Sequence, residues 1–205
     1  MCANRTTPHW PWRLILVTGI DTAGKSTAAQ ACRRCGYHVV HSPYHPEMVD
    51  VTGHYRSLLE TAAPWTVFDR GFITEHVYGP VLRGRSRLQE RQFQELVDLS
   101  ARRQGAVLYL EEPDAVLLPR LEASLGRFHR HRLTLAHLGA LRRRYEEVLA
   151  SMEPVMPVYR LQPSRVALAE LGALLHQTLG TSGRRGRLDR GGSATTSDSR
   201  WSKAK

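Results

Sequence analysis

A short apolar run, "RLILVT" (Arg13–Thr18), breaks directly into "GIDTAGKST" (Gly19–Thr27), and few folds accommodate that junction. The run is short, apolar and closed by glycine, as expected of a parallel strand buried on both faces. Gly19 to Ser26 match G-x-x-x-x-G-K-[ST], and Gly24 to Cys35 reads as the helix that follows. In this motif the glycines let backbone N–H groups turn inward around phosphate oxygens, and the helix N-terminus adds positive potential. A strand, a phosphate loop and a helix in that order commit the chain to an α/β architecture.

Each loop residue then acquires an expected role. The backbone of Gly19, Ile20, Thr22, Ala23, Gly24, Lys25, Ser26 and Thr27 cradles a nucleotide, with Lys25 reaching the β- and γ-phosphates of ATP and the Ser26 hydroxyl ligating Mg²⁺. Composition sharpens the assignment of Lys25. The chain holds 26 arginines and three lysines, and the other two lysines are Lys203 and Lys205. A compact ammonium on a flexible stem enters a cage of backbone groups as a point charge, whereas a guanidinium is wider and demands forked partners.

Downstream, strands and helices alternate. "YHVVH" (Tyr37–His41), "WTVF" (Trp65–Phe68), "AVLYL" (Ala106–Leu110) and "PVYRL" (Pro157–Leu161) read as four further strands. Helices are expected over 49–62, 72–82, 88–104, 114–125 and 165–179. One more follows from Leu135, Leu138, Leu141, Tyr145, Val148 and Met152 at helical spacing. This alternation predicts a parallel sheet covered on both faces, with ligands at the carboxyl ends of its strands. Two polar signals fall there: the phosphate loop, and Asp69-Arg70 after the third strand. Asp69 is placed to hold the water shell of the metal.

Length suits one domain, here 13–180, with an N-terminal extension at 1–12 and a tail at 181–205. No run approaches the ~18 apolar residues of a membrane span, and the N-terminus lacks a secretory h-region; the cytoplasm is expected. Net charge is +10, and half of it lies in the tail, whose Gly/Ser/Thr/Arg composition predicts disorder. A mobile basic tail points to polyanion contact or to simple solubilisation. Cys32 and Cys35 have C-x-x-C spacing but no second ligand pair, and they fall late in the first helix, so they are expected to be helix-borne and inert.

The combination G-x-D-x-x-G-K-S-T at 19–27 with Asp69-Arg70 resembles the thymidylate kinase family over most of residues 13–179. "VYGPVLRG" (Val77–Gly84) is similar to viral, phage-type members, which would place the protein in a host cytoplasm. The resemblance implies a nucleoside-monophosphate-kinase fold, a five-stranded parallel sheet with an arginine-bearing lid. It also implies that Asp21 faces the acceptor, that Asp69 serves the metal and that Arg70 holds an acceptor phosphate. The lid falls at about 126–133, with Arg127, Arg130 and Arg132, and Arg120 before them, as sources of transition-state charge. His129 and His131 have no partner set for a metal.

The acceptor side departs from the family. The arginine-containing loop after the second strand is replaced by "SPYHPE" (Ser42–Glu47). Thr74 and Tyr78 match the family's acceptor segment, but its base-reading glutamine is Gly79. Three acceptor classes stay open. One is a free pyrimidine deoxynucleotide such as dTMP. Another is a thymine-like base within DNA, such as 5-hydroxymethyluracil, phosphorylated on its hydroxymethyl oxygen. The third is no acceptor at all, in a phosphate-loop binding module. The DNA base is preferred, because the missing pieces are base-reading ones and because "RGRSR" (Arg83–Arg87) and the tail are basic. On that reading Tyr44 or Phe72 stacks on the base.

Overall fold

The computed structural model describes residues 10–42, 47–124, 133–165 and 170–180. Its strands are β1 (Leu14–Gly19), β2 (His38–His41), β3 (Thr66–Asp69), β4 (Gly105–Leu110) and β5 (Val158–Leu161). The helices are α1 (Lys25–Arg34), α2 (Val51–Thr61), α3 (Phe72–Arg83), α4 (Glu90–Arg102), α5 (Asp114–Ser124), α6 (Leu135–Met152) and α7 (Leu171–Gly180). All strand pairings are parallel, in the order β2-β3-β1-β4-β5. The expected α/β sheet flanked by helices is the observed one.

Burial follows strand position. β1, β3 and β4 are buried at every residue, while the edge strands β2 and β5 are mixed. That is why the central strands read as unbroken apolar runs and the edges carry His38, His41 and Arg160. Gly19 ends β1 opposite Leu110. A Cβ at Gly19 would lie 2.6 Å from the Leu110 carbonyl oxygen, and its φ is +148°. Glycine is required where the strand turns into the loop.

One element differs from expectation. The helix predicted from Arg165 begins at Leu171, and a 3₁₀ turn at Pro163–Arg165 precedes it. The cause is a bond outside the segment: Glu112, buried after β4, accepts the Ser164 backbone N–H at 2.7 Å and the Ser164 hydroxyl. At the other end of the chain, Trp10 and Trp12 pack onto α7. Trp10 is buried and donates from its indole to His176 Nδ1 at 2.8 Å, and Trp12 donates to the Leu179 carbonyl at 3.2 Å. Two residues of the expected 1–12 extension thus lie against α7. Cys32 is buried on α1, and Cys35 is its C-terminal cap.

Candidate active site

The loop between β1 and α1 closes on its own lysine. Lys25 is 4% exposed, and its ammonium donates to the carbonyls of Gly19 and Ile20 at 2.8 Å each. Asp21 lies 3.5 Å from the same Nζ. Burial lowers the Lys25 pKa to about 8, and the neighbouring Asp21 carboxylate opposes that shift. Ser26 and Thr27 stand exposed at the start of α1. At the loop tip Thr22 takes a left-handed φ of 66°. A β-branched residue held in that region marks strain maintained by its surroundings.

Two hydroxyls from distant helices hold the loop in this shape. Tyr78 on α3 accepts the Asp21 backbone N–H at 2.8 Å. Tyr145 on α6, fully buried, donates to the Gly19 carbonyl at 3.0 Å and accepts from the Thr18 hydroxyl at 3.2 Å. Burial raises the pKa of both phenols, Tyr145 to about 12, so they stay neutral as donors and acceptors. Tyr78, expected on the acceptor side, has its hydroxyl bonded to the loop. Tyr145 read only as one apolar position in a helical stripe.

Beside the loop, β3 delivers Asp69 and Arg70. Asp69 is 3% exposed, with Oδ2 3.0 Å from His41 Nδ1 and Oδ1 without a hydrogen-bond partner among the described residues. Arg70, at φ 74°, places Nη2 3.1 Å from Asp21 Oδ1. Asp21, Lys25, Asp69 and Arg70 thus form one cluster of two anions and two cations at the carboxyl ends of β1 and β3. His41 was absent from the expected site; its signal was its place at the end of β2, in register with Asp69.

Two acceptor-side expectations are corrected, those for Phe72 and for "RGRSR". Phe72 does not offer a stacking surface: it is 1% exposed, with ring centroids 6.2 Å from Tyr55 and 5.6 Å from Phe93. As the first residue of α3 it points into the core between α2 and α4. Thr74 is half-buried in the first turn of α3, its N–H bonded to the Gly71 carbonyl at 3.1 Å. The "RGRSR" segment is not an open basic patch. Arg83 and Arg87 both bind the buried carboxylate of Glu75, Arg87 through Nε at 3.1 Å and Nη2 at 2.8 Å, and only Arg85 of the three arginines is exposed. Tyr44, Arg127, Arg130 and Arg132, with His129, His131 and nearly all of the lid, lie outside the described residues.

Gly79 has a packing reason. A Cβ there would meet the Arg85 carbonyl oxygen and Ser86 Cα, each at 2.8 Å. The 84–87 turn fills the place in which a glutamine side chain would start, so base reading from this position is closed. Gly79→Ala is expected to destabilise the protein by ~1–3 kcal/mol, since backbone atoms on both sides resist the added methyl. Urea denaturation measures this, and an unchanged midpoint would contradict the close approach.

On the opposite side, Arg120 of α5 reaches back to the loop. Its Nη1 donates to the Thr22 carbonyl at 3.3 Å and lies 3.5 Å from Glu112. Glu112 therefore joins three elements, the exit of β4, α5 and the turn after β5, around the loop's far wall.

No protein-family model matches the chain, and no curated protein matches its sequence. Solved structures do. The YorR protein of Bacillus subtilis, in complex with phosphorylated GDP, superposes with a TM-score of 0.63 at 20% identity, over 79% of this chain and 92% of that one. Deoxyadenosine kinase from M. mycoides, with products dCMP and dCDP, gives 0.57 at 17% identity over 81% and 97%. Thymidylate kinase from Candida albicans gives 0.52 at 13% identity over 82% and 90%. The chain has the fold of the P-loop kinases. In the P-loop kinase fold observed here, the β2-β3-β1-β4-β5 order sets the loop at the centre and Asp69 one strand away.

Proposed function

We propose that this chain transfers the γ-phosphoryl group of ATP to a pyrimidine deoxynucleoside unit. The observation that carries the reading is the cluster itself: a buried Lys25 within the loop, with Asp21, Asp69 and Arg70 gathered around it. A module that only binds nucleotide has no acceptor to hold, and Arg70 beside Asp21 weighs against that reading. The structures sharing the fold include nucleotide-bound kinases, which supports the same conclusion.

In the proposed reaction Lys25 exchanges the Gly19 and Ile20 carbonyls for phosphate oxygens, with the loop N–H groups around the same phosphates. An acceptor oxygen forms a bond to the γ-phosphorus while the bond to the β,γ-bridging oxygen breaks, and ADP leaves with that electron pair. Asp21 and Arg70, already paired, border the acceptor. Arg127, Arg130 and Arg132 would supply charge to the transferring phosphoryl group. The donor set fits Mg²⁺: the Ser26 hydroxyl is exposed at the loop, and Asp69 Oδ1 is a buried oxygen lacking a partner among the described residues, suited to the ion's water shell. When bound, the ion neutralises charge between the β- and γ-phosphates.

The geometry shifts the balance between acceptors. With Arg83 and Arg87 engaged by Glu75, the "RGRSR" segment offers little of the basic surface that favoured a base within DNA. A free deoxynucleoside or deoxynucleotide is the better-supported acceptor. The DNA base stands second, on the seven basic residues of the 181–205 tail. The test is transfer of label from [γ-³²P]ATP to dTMP, 5-hydroxymethyl-dUMP and 5-hydroxymethyluracil-containing DNA. Label in a soluble nucleotide is the expected outcome. Label confined to DNA, and lost on removing 181–205, would establish the second reading, and transfer to nothing would make the chain a binding module.

A further inference from the structure

The geometry points to His76 and Arg144 as positioning residues for ATP, a cross-link between α3 and α6 that holds Tyr78 and Tyr145 against the phosphate loop. The inference rests on ATP being the loop's ligand, as proposed above, and adds the residues that set the shape in which the loop receives it. The two helices that brace the loop meet again away from it, where Arg144 Nη2 lies 3.1 Å from His76 Nε2. A guanidinium can only donate, so Nε2 is the lone pair and the hydrogen sits on Nδ1, which faces Ser86 Oγ at 3.4 Å. His76 is buried, and its ring stacks on Phe93 of α4 with centroids 4.1 Å apart and planes 12° from parallel. The stack fixes the ring plane, and with it the direction in which Nε2 points. The link also falls where α3 needs it. His76 lies two residues before Tyr78, and Arg144 directly before Tyr145. Pro80 stands inside α3 and has no N–H, so the helical bond that would close on the His76 carbonyl is missing. The turn that carries Tyr78 therefore depends more on its side-chain contacts for its position.

The link has two settings. Glu90, at the start of α4, is 74% exposed and places Oε2 3.3 Å from the same Nε2. Once a proton occupies Nε2, Arg144 can no longer donate there, and the new hydrogen goes to Glu90. α3 is then tied to α4 and released from α6. The other charged groups on these helices near the ring are engaged: Glu75, adjacent on α3, receives Arg83 and Arg87, and Glu147 on α6 pairs with Arg144. Two discrete partners on two helices give a contact away from the loop a means to bias the loop's shape. Burial lowers the His76 pKa from its ordinary 6.5, while Glu90 opposes the shift and Arg144 adds to it. The neutral setting, with α3 and α6 joined, therefore prevails at neutral pH and is lost as pH falls below 6.5 through the lowered value.

The experiment measures ATP binding to the full-length protein by calorimetry with Mg²⁺ present, after circular dichroism has shown each variant to be folded. His76→Leu and Arg144→Met each remove the link and are expected to raise Kd for ATP about tenfold at pH 8. Their double variant should match either single one, because the same contact is lost in all three. His76→Gln still offers an amide oxygen to Arg144 and should bind ATP as the wild type does. The ratio of wild-type Kd to His76→Gln Kd cancels the titration of ATP itself. That ratio is expected to rise severalfold from about one as pH falls from 8 to 5, since only the histidine can release Arg144. Unchanged Kd in both His76→Leu and Arg144→Met, a glutamine variant as weak as the leucine one, or a ratio flat across that range would overturn the proposal and leave the kinase reading intact. Where His76→Leu or Arg144→Met does not fold, the comparison of wild type with His76→Gln decides. A wild type that binds no ATP would remove the kinase reading, and this inference with it.

Discussion

Lys25→Arg is expected to lower phosphotransfer by roughly 10²- to 10³-fold, although it keeps the charge. The ammonium fits between two carbonyls at 2.8 Å each, in a site 4% exposed, and a guanidinium there cannot satisfy its planar fork. Single-turnover transfer from ATP checks this, and near-normal turnover would remove Lys25 from the donor site. Lys25→Met should lose the same activity while leaving the nucleotide-free protein at least as stable, because burial disfavours the charge that methionine lacks. The pH dependence gives a second readout. The folded-state pKa is lowered to about 8 from 10.5, so between those values the unfolded chain binds more protons. Stability from this group therefore rises with pH across that window in the wild type, and the rise should be missing in Lys25→Met.

Glu75→Ala is expected to cost about 3 kcal/mol of folding stability, at the lower end of the range for breaking a buried ion pair. The carboxylate is 3% exposed and receives Arg83, the Arg87 guanidinium and, at 3.2 Å, the Arg87 backbone N–H. Without it two cations and an amide lose a common partner. Both arginines are about a quarter exposed and can turn partly to water, which keeps the cost below the full range. Chemical denaturation compares this variant with Arg85→Ala, expected to be within ~0.5 kcal/mol of wild type because Arg85 is exposed. Equal effects of the two substitutions would show that the Glu75 cluster is not a packing centre.

The two sets of arginines show what was legible and what was not. The five strands and the donor loop could be read because their signals are local: an unbroken apolar run, then glycines at fixed spacing. Asp69 and Arg70 were found because a strand end fixes where side chains go. Arg83 and Arg87 read as surface charge because their partner, Glu75, lies 8 and 12 residues earlier, and only the turn at 84–87 brings them together. Tyr145 was hidden by periodicity: a phenol on the buried stripe of α6 looks apolar until its hydroxyl is seen on Gly19. Phe72 failed for the opposite reason, since an aromatic after a polar motif can face a ligand or the core, and helix α3 starts facing the core. His41 sits on an edge strand, where a histidine excites no notice until Asp69 is beside it.

The two phenols under the loop bear on how the protein assembles. Asp21 is tied to a residue 57 positions later and Gly19 to one 126 positions later. Contacts so distant along the chain form after local helices and neighbouring strands, because a long loop must close before either bond exists. The loop between β1 and α1 therefore takes its final shape late in folding, once α3 and α6 have docked, despite sitting near the N-terminus. A nucleotide added during refolding should leave the early phases unchanged and select only the finished protein, raising its melting temperature by mass action on the native state alone.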